Sequence, residues 1–260
     1  MNFSRLPFIT LILIILTASC TRYKDIVYLQ DKTDTESDSI GFYPRQIPTY
    51  KIQNRDILYI RILSMNKEVT DVINITPDIA TNMFTTESSL YIYGYNVNDS
   101  GYVEIPVIGS IKVVNKTLEE AKEAIILQSL KLLKDPTVIV KLVSFKYSVL
   151  GEINRPGSYI NYNNQLTILE AISQAGNVSP YSNIQRVMVI RSQENRSKTI
   201  HIDLTDRNIL QSEGYFLMPN DIVYVEPMKS RNFRNNIPTY SLFLGAITAF
   251  VLILSYINPR

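Results

Sequence analysis

The chain has 260 residues, with 26 Lys and Arg against 24 Asp and Glu, so its formal net charge is +2. This balance argues against a broad nucleic-acid surface, which needs a clustered excess of positive charge. One Cys and one His exclude a disulfide framework and a multi-cysteine metal site, and they leave little material for a catalytic triad. The composition therefore disfavours the common hydrolases, and we predict no catalytic residue, metal or cofactor.

Near the start, Arg5 precedes an apolar run over 6–16, and small residues then lead into Cys20. At 11 residues the run is too short to cross about 30 Å of hydrocarbon comfortably, but it suits a signal peptide. It resembles a bacterial lipoprotein signal, so we predict a signal peptide over 1–19 and acylation of Cys20, which would anchor the chain in a membrane. The alternative is an ordinary secretory signal, or an uncleaved anchor, with a chance cysteine.

We place the lipidated N-terminus and linker at 20–49: residues 23–29 could form a short strand, and residues 30–49 are polar and rich in turn residues, which predicts a tether or loosely attached segment. The folded part is predicted to run from Tyr50 to about Pro227. Residues 64–89 carry few periodic apolar positions, so we predict a long loop there. Segments rich in Val, Ile and Tyr and bounded by turn residues predict strands at 57–62, 103–108, 137–143, 147–151, 187–191, 199–204 and 222–225.

Two helices have clear start signals. Thr117 with Glu120, and Thr167 with Glu170, each form a capping box before apolar residues at helical spacing. Gly176 is expected to cap the end of the second helix. Few helices among short strands predict an α+β fold.

Two segments of the chain, 50–60 and 215–225, resemble each other, with Tyr, Asp, Ile and Tyr recurring at the same spacing. In each copy an Asp, Asp56 or Asp221, precedes an apolar strand, as expected for a side chain that stabilises a turn by bonding to nearby backbone. A carboxylate pair for acid–base chemistry is the alternative. We favour the turn, because turn chemistry explains both residues without further assumptions.

The C-terminal region contains 21 uncharged residues over 237–257, after a basic linker over 228–236. As a helix this stretch would measure about 31 Å, enough for one membrane crossing. We therefore predict a single C-terminal transmembrane helix. Small or weakly polar residues recur along one stripe of it, namely Ser241, Gly245, Thr248 and Ser255. Such a stripe favours close packing with copies of the same helix or the lining of a lumen, although these residues are also common in membrane helices generally.

The motifs taken together resemble the outer-membrane polysaccharide export lipoproteins of the Wza type. The Asp56 turn, the segment 100–109 and the Thr117 helix are similar to the polysaccharide export sequence domain. We place this domain at 50–145. Arg55 stands where the family often has Gly, and a side chain other than Gly or Asn enters left-handed conformations at a cost. The turn before Asp56 is therefore expected to differ in shape.

The rest of the folded part resembles an SLBB β-grasp domain, which we place at 146–227. The similarity lies in the segments 149–153, 155–159 and 167–176. Across both domains the residues expected at tight turns or connections are Gly101, Gly109, Pro156, Gly157 and Gly176.

The resemblance implies a homo-oligomeric ring, octamer-like, that exports capsular or exopolysaccharide across the bacterial outer membrane. Its folded domains would lie in the periplasm, held by lipid at Cys20, and its C-terminal helices would cross the membrane side by side. An inner-membrane polysaccharide co-polymerase or tyrosine kinase would be the partner. Transport of this kind needs no covalent chemistry, so the chain is not expected to be an enzyme.

Two other functions stay open at this stage. A non-channel lipoprotein adaptor could bind glycan and dock the export machinery. An enzyme that trims polysaccharide would need two opposed carboxylates in a cleft.

His201 is expected on the solvent face of a strand. Tyr91, Tyr93 and Tyr95 would share one strand face, for core or interface packing or for stacking on sugar rings.

Overall fold

A computed structural model of the protein describes residues 25–32, 42–45, 47–74, 93–193 and 196–228, together with 242, 245–250, 252, 253 and 256. The described chain has a mixed α/β fold with two hydrophobic cores. We call the part around the first core, from β1 to β5 below, the first unit. The part around the other core, from β6 to β10, is the second unit.

The described residues of the first unit form two short sheets and two helices. Its elements are β1 (Ile57–Leu63), α1 (Lys67–Ile73), β2 (Tyr95–Asn96), β3 (Tyr102–Ile105), β4 (Gly109–Lys112), α2 (Leu118–Ser129) and β5 (Thr137–Leu142). One antiparallel sheet has the order β2-β1-β5, and β3 pairs with β4. Every second residue of β1 is buried, which is the period expected of a strand with one face on a core. Helix α2 adds Ala121 and Ile125 to that core.

The second unit is one five-stranded sheet with a helix on its buried face. Its elements are β6 (Lys146–Gly151), β7 (Gly157–Ile160), α3 (Ile168–Gln174), β8 (Ser182–Gln193), β9 (Arg196–Ile202), a 3₁₀ helix (Arg207–Gln211) and β10 (Ile222–Pro227). The strand order is β7-β6-β10-β8-β9, with β6 and β10 parallel and the other pairs antiparallel. Helix α3 buries Ile168, Ala171 and Ile172 in the core of this unit.

Both predicted capping boxes are confirmed. The Thr117 hydroxyl accepts the Glu120 N–H at 3.1 Å, and the Glu120 carboxylate accepts the Thr117 N–H at 2.7 Å. Thr167 and Glu170 repeat the arrangement at 3.2 and 2.7 Å. These side chains satisfy backbone groups that the first turn of a helix leaves without a partner.

Part of the region 64–89 differs from its prediction, because α1 lies within the predicted loop. This helix has seven residues and is capped at its N-terminus by Asn66, whose side chain accepts the Val69 N–H. So short a helix shows too few turns to reveal a period in the sequence. The predicted tyrosine strand is also shorter than expected: Tyr95 lies in β2 and is buried, Tyr93 precedes that strand, and Tyr91 lies outside the described residues.

The prediction of a single transmembrane helix over 237–257 is wrong. Within the part of the chain that the structure describes, no helix is both long enough and apolar enough to cross a membrane. The longest described helix is α2, with 12 residues, whereas a crossing needs about 20. The prediction rested on a count of uncharged residues, and an uncharged run does not by itself establish one continuous helix.

Candidate functional site

The two units meet at the short connection between β5 and β6. Leu142, the last residue of β5, packs against both cores. The Val143 N–H donates to the Ile57 carbonyl at 3.0 Å, and Phe145 is buried in the core of the second unit. The units are therefore joined by packed and hydrogen-bonded chain, which makes this junction the best-defined candidate site.

Asp56 lies at the junction, in the turn that leads into β1. Its Oδ2 accepts the Gln53 N–H at 2.8 Å and the Tyr50 hydroxyl at 2.7 Å. Its Oδ1 accepts the Ser144 hydroxyl at 3.0 Å. One carboxylate thus ties together the turn, the residue that begins the folded part and the connection between the units. The sequence pattern singled out Asp56, but it carried no signal for Ser144.

Asp221 occupies the corresponding turn before β10, and it also bears a buried ion pair. Its carboxylate accepts the Met218 N–H at 2.8 Å and the Arg191 Nη2 at 2.8 Å. The Arg191 Nε lies 3.1 Å from Oδ1, and Nη2 also donates to the Phe216 carbonyl at 2.9 Å. The side chains of Arg191 and Asp221 are 7% and 0% exposed. This ion pair therefore belongs to the core of the second unit.

Arg191 was not selected from the sequence, although a signal was available. It continues the buried face of β8, after Val187 and Val189. A charged residue at an inward-facing position of a strand predicts a buried partner of opposite charge, because burying an unpaired charge away from water costs free energy.

The two aspartate turns share one geometry. The N–H of each Asp donates to the carbonyl three residues earlier, at 3.3 Å for Asp56 and 3.1 Å for Asp221. The preceding residue is left-handed in both turns, with φ of 70° at Arg55 and 68° at Asn220. The expectation of a different shape at Arg55 is therefore wrong. Two contacts stabilise Arg55 in this left-handed conformation. Its Nε lies 3.2 Å from Asp99 Oδ1, and its backbone N–H donates to the Val97 carbonyl.

The electrostatics of these carboxylates support the turn interpretation. Burial raises the pKa of Asp56, and the hydrogen bonds from Gln53, Tyr50 and Ser144 oppose that shift. Burial also raises the pKa of Asp221, against the opposing effect of Arg191. Each carboxylate accepts hydrogen bonds from its own surroundings, including the backbone of its own turn, as expected of a side chain that stabilises a turn.

A small cleft opens between the units beside Tyr50. Its lining consists of Pro48, Tyr50, Leu118, Leu142, Phe145, Asn163, Asn164, Gln165, Leu166, Phe216, Leu217, Met218 and Pro219. Among these residues, all of which the structure describes, none is acidic, basic, His or Cys. The cleft can therefore pack against or hydrogen-bond an uncharged group.

Gly101 and Gly109 lie at the two ends of the β3–β4 hairpin, both with positive φ, 83° and 99°. A Cβ at Gly101 would meet Val114 at 2.2 Å, whereas a Cβ at Gly109 would have nothing within 4 Å. Gly101 is thus required by both backbone conformation and space, and Gly109 by conformation alone.

The other predicted turn residues lie in the second unit. Pro156 stands immediately before β7, and Gly157 is the first residue of that strand. Gly176 follows α3 with φ of 78°, and its N–H donates to the Ser173 carbonyl at 3.0 Å. These residues therefore shape the connections of the second unit and do not contribute to the Asp56 junction.

The predicted lipidation site and helix stripe are described only in part. Cys20, Ser241 and Ser255 lie outside the described residues. Gly245 and Thr248 are helical and exposed. The role of all five residues stays a prediction.

Comparison with known families assigns both units. A model described as polysaccharide biosynthesis/export protein matches residues 44–143, and an SLBB domain model matches residues 145–225. The chain therefore contains a polysaccharide biosynthesis/export domain followed by an SLBB domain, and it resembles the polysaccharide export family. The resemblance drawn from the Asp56 turn, the capped helices and the glycine motifs is thereby confirmed.

Two curated relatives of this family share sequence with the chain. Both are named EPS I polysaccharide export outer membrane protein EpsA, one from Ralstonia nicotianae and one from Ralstonia solanacearum. Each is 37% identical over 108 residues, which is 39% of this chain. The matched regions cover 28% and 29% of the relatives. The chain therefore spans less than a third of the length of the curated relatives it matches.

Proposed function

We propose that this protein exports exopolysaccharide across the outer membrane. The observation that carries the proposal is the ordered pair of matches, a polysaccharide biosynthesis/export domain over 44–143 followed directly by an SLBB domain over 145–225. The names of the two relatives, which are outer-membrane polysaccharide export proteins, support the same function. The uncharged lining of the cleft between the units is compatible with moving a polymer without reacting with it.

The working form is a homo-oligomeric ring through which the polymer passes. Exposed leucines in and just after helix α2 of the first unit support this assembly, because in a single subunit they are in contact with water. Leu127, Leu130 and Leu132 are 67%, 51% and 52% exposed. Exposed apolar groups close together on one surface are typical of protein interfaces. A neighbouring subunit of the ring is their proposed partner.

The protein is held at the outer membrane by acylated Cys20, with both units in the periplasm. An inner-membrane polysaccharide co-polymerase or tyrosine kinase supplies the polymer and the energy. Arg5, the short apolar run over 6–16 and the small residues before Cys20 support this arrangement, since they suit a signal peptide that ends at the cysteine.

The function is tested in a strain that lacks the gene, complemented with the full chain. Expression of the wild-type chain is expected to restore polysaccharide at the cell surface and in the medium. Cys20→Ser, with equal expression of the protein, is expected to restore much less, because the anchor is lost. Unchanged surface polysaccharide in the deletion strain would contradict the proposed export.

Assembly is tested by electron microscopy of the full-length acylated protein in detergent. Closed rings with an axial opening are expected. Monomers or dimers in several detergents, with lipid added back, would contradict the ring and would favour the glycan-binding adaptor.

A further inference from the structure

The three-stranded sheet of the first unit ends in β5, which pairs with β1 on one side. The Val143 N–H donates to the Ile57 carbonyl at 3.0 Å, and in antiparallel strands such bonded pairs alternate with pairs that are not bonded. From this register, the odd-numbered residues of β5 bond to β1. The backbone groups that point away from β1 belong to the even-numbered residues, Val138, Val140 and Leu142.

The other side of β1 confirms this alternation, because even-numbered residues of β1 have partners there. Leu58 pairs with Tyr95 of β2. Further along, the Asn74 side chain takes the place of a strand. Its Oδ1 accepts the Ile62 N–H at 3.0 Å, and its Nδ2 donates to the Ile62 carbonyl at 2.9 Å. This side of β1 is therefore closed at both Leu58 and Ile62.

The outer edge of β5 has no such closure. In the part of the chain that the structure describes, the N–H groups of Val138, Val140 and Leu142 donate to no acceptor. Proteins usually protect an open edge with Pro, a bulge or charged side chains, because such an edge pairs readily with another strand. Strand β5 has no Pro, an unbroken register with β1 and one charged residue, Lys141. It is therefore suited to accept a further strand.

The exposed leucines of the first unit lie on the same stretch of chain. Leu127 belongs to α2, and Leu130 and Leu132 lie between α2 and β5. Helix α2 and β5 also pack on the same core. The stretch 127–142 thus carries exposed apolar side chains together with unpaired backbone groups. A partner that offers both an apolar surface and an extended strand would cover them.

A second copy of this chain offers such a strand. Strands β7 and β9 are the outer strands of the sheet in the second unit, and each has a described neighbour on one side only. A contact that closes a ring joins two different surfaces of identical subunits, so β5 of one copy meets a different strand of the next. We propose that β5 in each subunit pairs with an edge strand of a neighbouring copy, so that one sheet continues from subunit to subunit. This inference rests on the ring proposed above.

Hydrogen–deuterium exchange in the full-length, acylated protein tests the pairing without any substitution. The purified protein in detergent contains no other polypeptide, so the chain and its copies are the only source of protection. Exchange is read at single residues by fragmentation in the mass spectrometer, with Ile139 and Lys141 as internal references because both bond to β1. We expect the Val140 N–H to exchange as slowly as these two. Exchange at Val140 at the rate of an unpaired amide would overturn the proposal.

A proline at position 140 tests whether the pairing is needed for assembly. Val140→Pro removes an N–H that points away from β1, and proline is tolerated at such edge positions. Val140→Ala is the matched control, since it shortens the same side chain and keeps the N–H. We expect closed rings by electron microscopy for wild type and Val140→Ala, and loss of the rings in Val140→Pro. Wild-type protein that forms no rings, or rings of Val140→Pro as abundant as those of wild type, would refute the proposal.

Both readouts are independent of polysaccharide. A folded Val140→Pro variant that assembles would refute the shared sheet and leave export untouched. Unchanged surface polysaccharide in the deletion strain would refute export, while rings with a protected Val140 N–H would still support the shared sheet. Where Val140→Pro does not fold, as judged by circular dichroism, exchange at Val140 in the wild-type chain decides the question alone.

Discussion

At the residue level, the pair formed by Arg191 and Asp221 illustrates how a buried charge is accommodated. Its members lie on β8 and in the turn before β10, and both side chains are almost fully buried. A pair of this kind contributes little when compared with a well-packed apolar pair, but removing one partner leaves a charge without compensation. The pair therefore matters most when it is broken.

Asp221→Asn breaks it with almost no change in shape. We expect the free energy of unfolding to fall by about 3–5 kcal/mol, because the Arg191 guanidinium stays buried without a counter-charge. Urea denaturation measures this change. Glu119→Gln is the control, since it removes a carboxylate that pairs with Lys122 on the surface and should cost less than about 1 kcal/mol. Equal losses in the two variants would refute the argument.

Asp56 predicts a pH dependence of stability. Burial raises its pKa above the ordinary value of 3.8, so the folded protein binds this proton more tightly than the unfolded chain does. Between the unfolded and folded pKa values the folded state holds more protons, and stability falls as pH rises through that interval.

Asp56→Asn cannot titrate and lacks this contribution. We expect the free energy of unfolding of wild type minus that of the variant to decrease from about pH 4 upward. Urea denaturation at a series of pH values provides the measurement. A difference that instead grows with pH would mean that the hydrogen bonds from Tyr50, Gln53 and Ser144 lower the pKa of Asp56 more than burial raises it.

Gly101 and Gly109 form a matched pair for testing space against conformation. Both have positive φ, but only Gly101 lacks room for a Cβ. Gly109→Ala should cost about 1–2 kcal/mol of unfolding free energy through backbone strain. Gly101→Ala should cost at least about 1 kcal/mol more, because Val114 must also move. Thermal or urea unfolding distinguishes the two, and a larger loss in Gly109→Ala would contradict this account.

At the level of elements, the predictable parts were those with a strong local signal. The content of Ile and Tyr after a turn residue predicted a strand over 57–62, one residue shorter than β1, and both capping boxes predicted their helices. Helix α1 was missed because it is too short to show a period. The backbone hydrogen bonds of the segment 25–32 were missed for another reason, since they join Leu29 and Gln30 to Leu204 and Thr205, far along the chain. No local pattern predicts such contacts.

Helix α3 depends on its cap for a clear start. Thr167→Ala removes the hydroxyl that accepts the Glu170 N–H, and we expect a loss of about 1 kcal/mol in the free energy of unfolding. Ser197→Ala is the control, because it removes an exposed hydroxyl from β9. If both variants unfold at the same urea concentration as wild type, the cap does not contribute as proposed.

At the level of the whole molecule, the candidate site was only half predictable. The sequence selected Asp56 and Asp221 and favoured turn chemistry for both. Nothing in the sequence indicated the cleft with its uncharged lining. Residues near Tyr50, Asn163 and Phe216 line it, and these segments are far apart in the sequence and come together only when the two units pack. The fold thus supplies what the motifs alone did not, a junction between two matched domains whose cleft has no charged lining.

The central claim is that this protein exports exopolysaccharide across the outer membrane. A pulse of labelled sugar tests this claim most directly. In a strain that lacks the gene, labelled polysaccharide is measured separately in the periplasm and in the medium. We predict continued synthesis with label retained inside the cell, and release into the medium when the full chain is restored. Undiminished release of labelled polymer by the deletion strain would contradict the account.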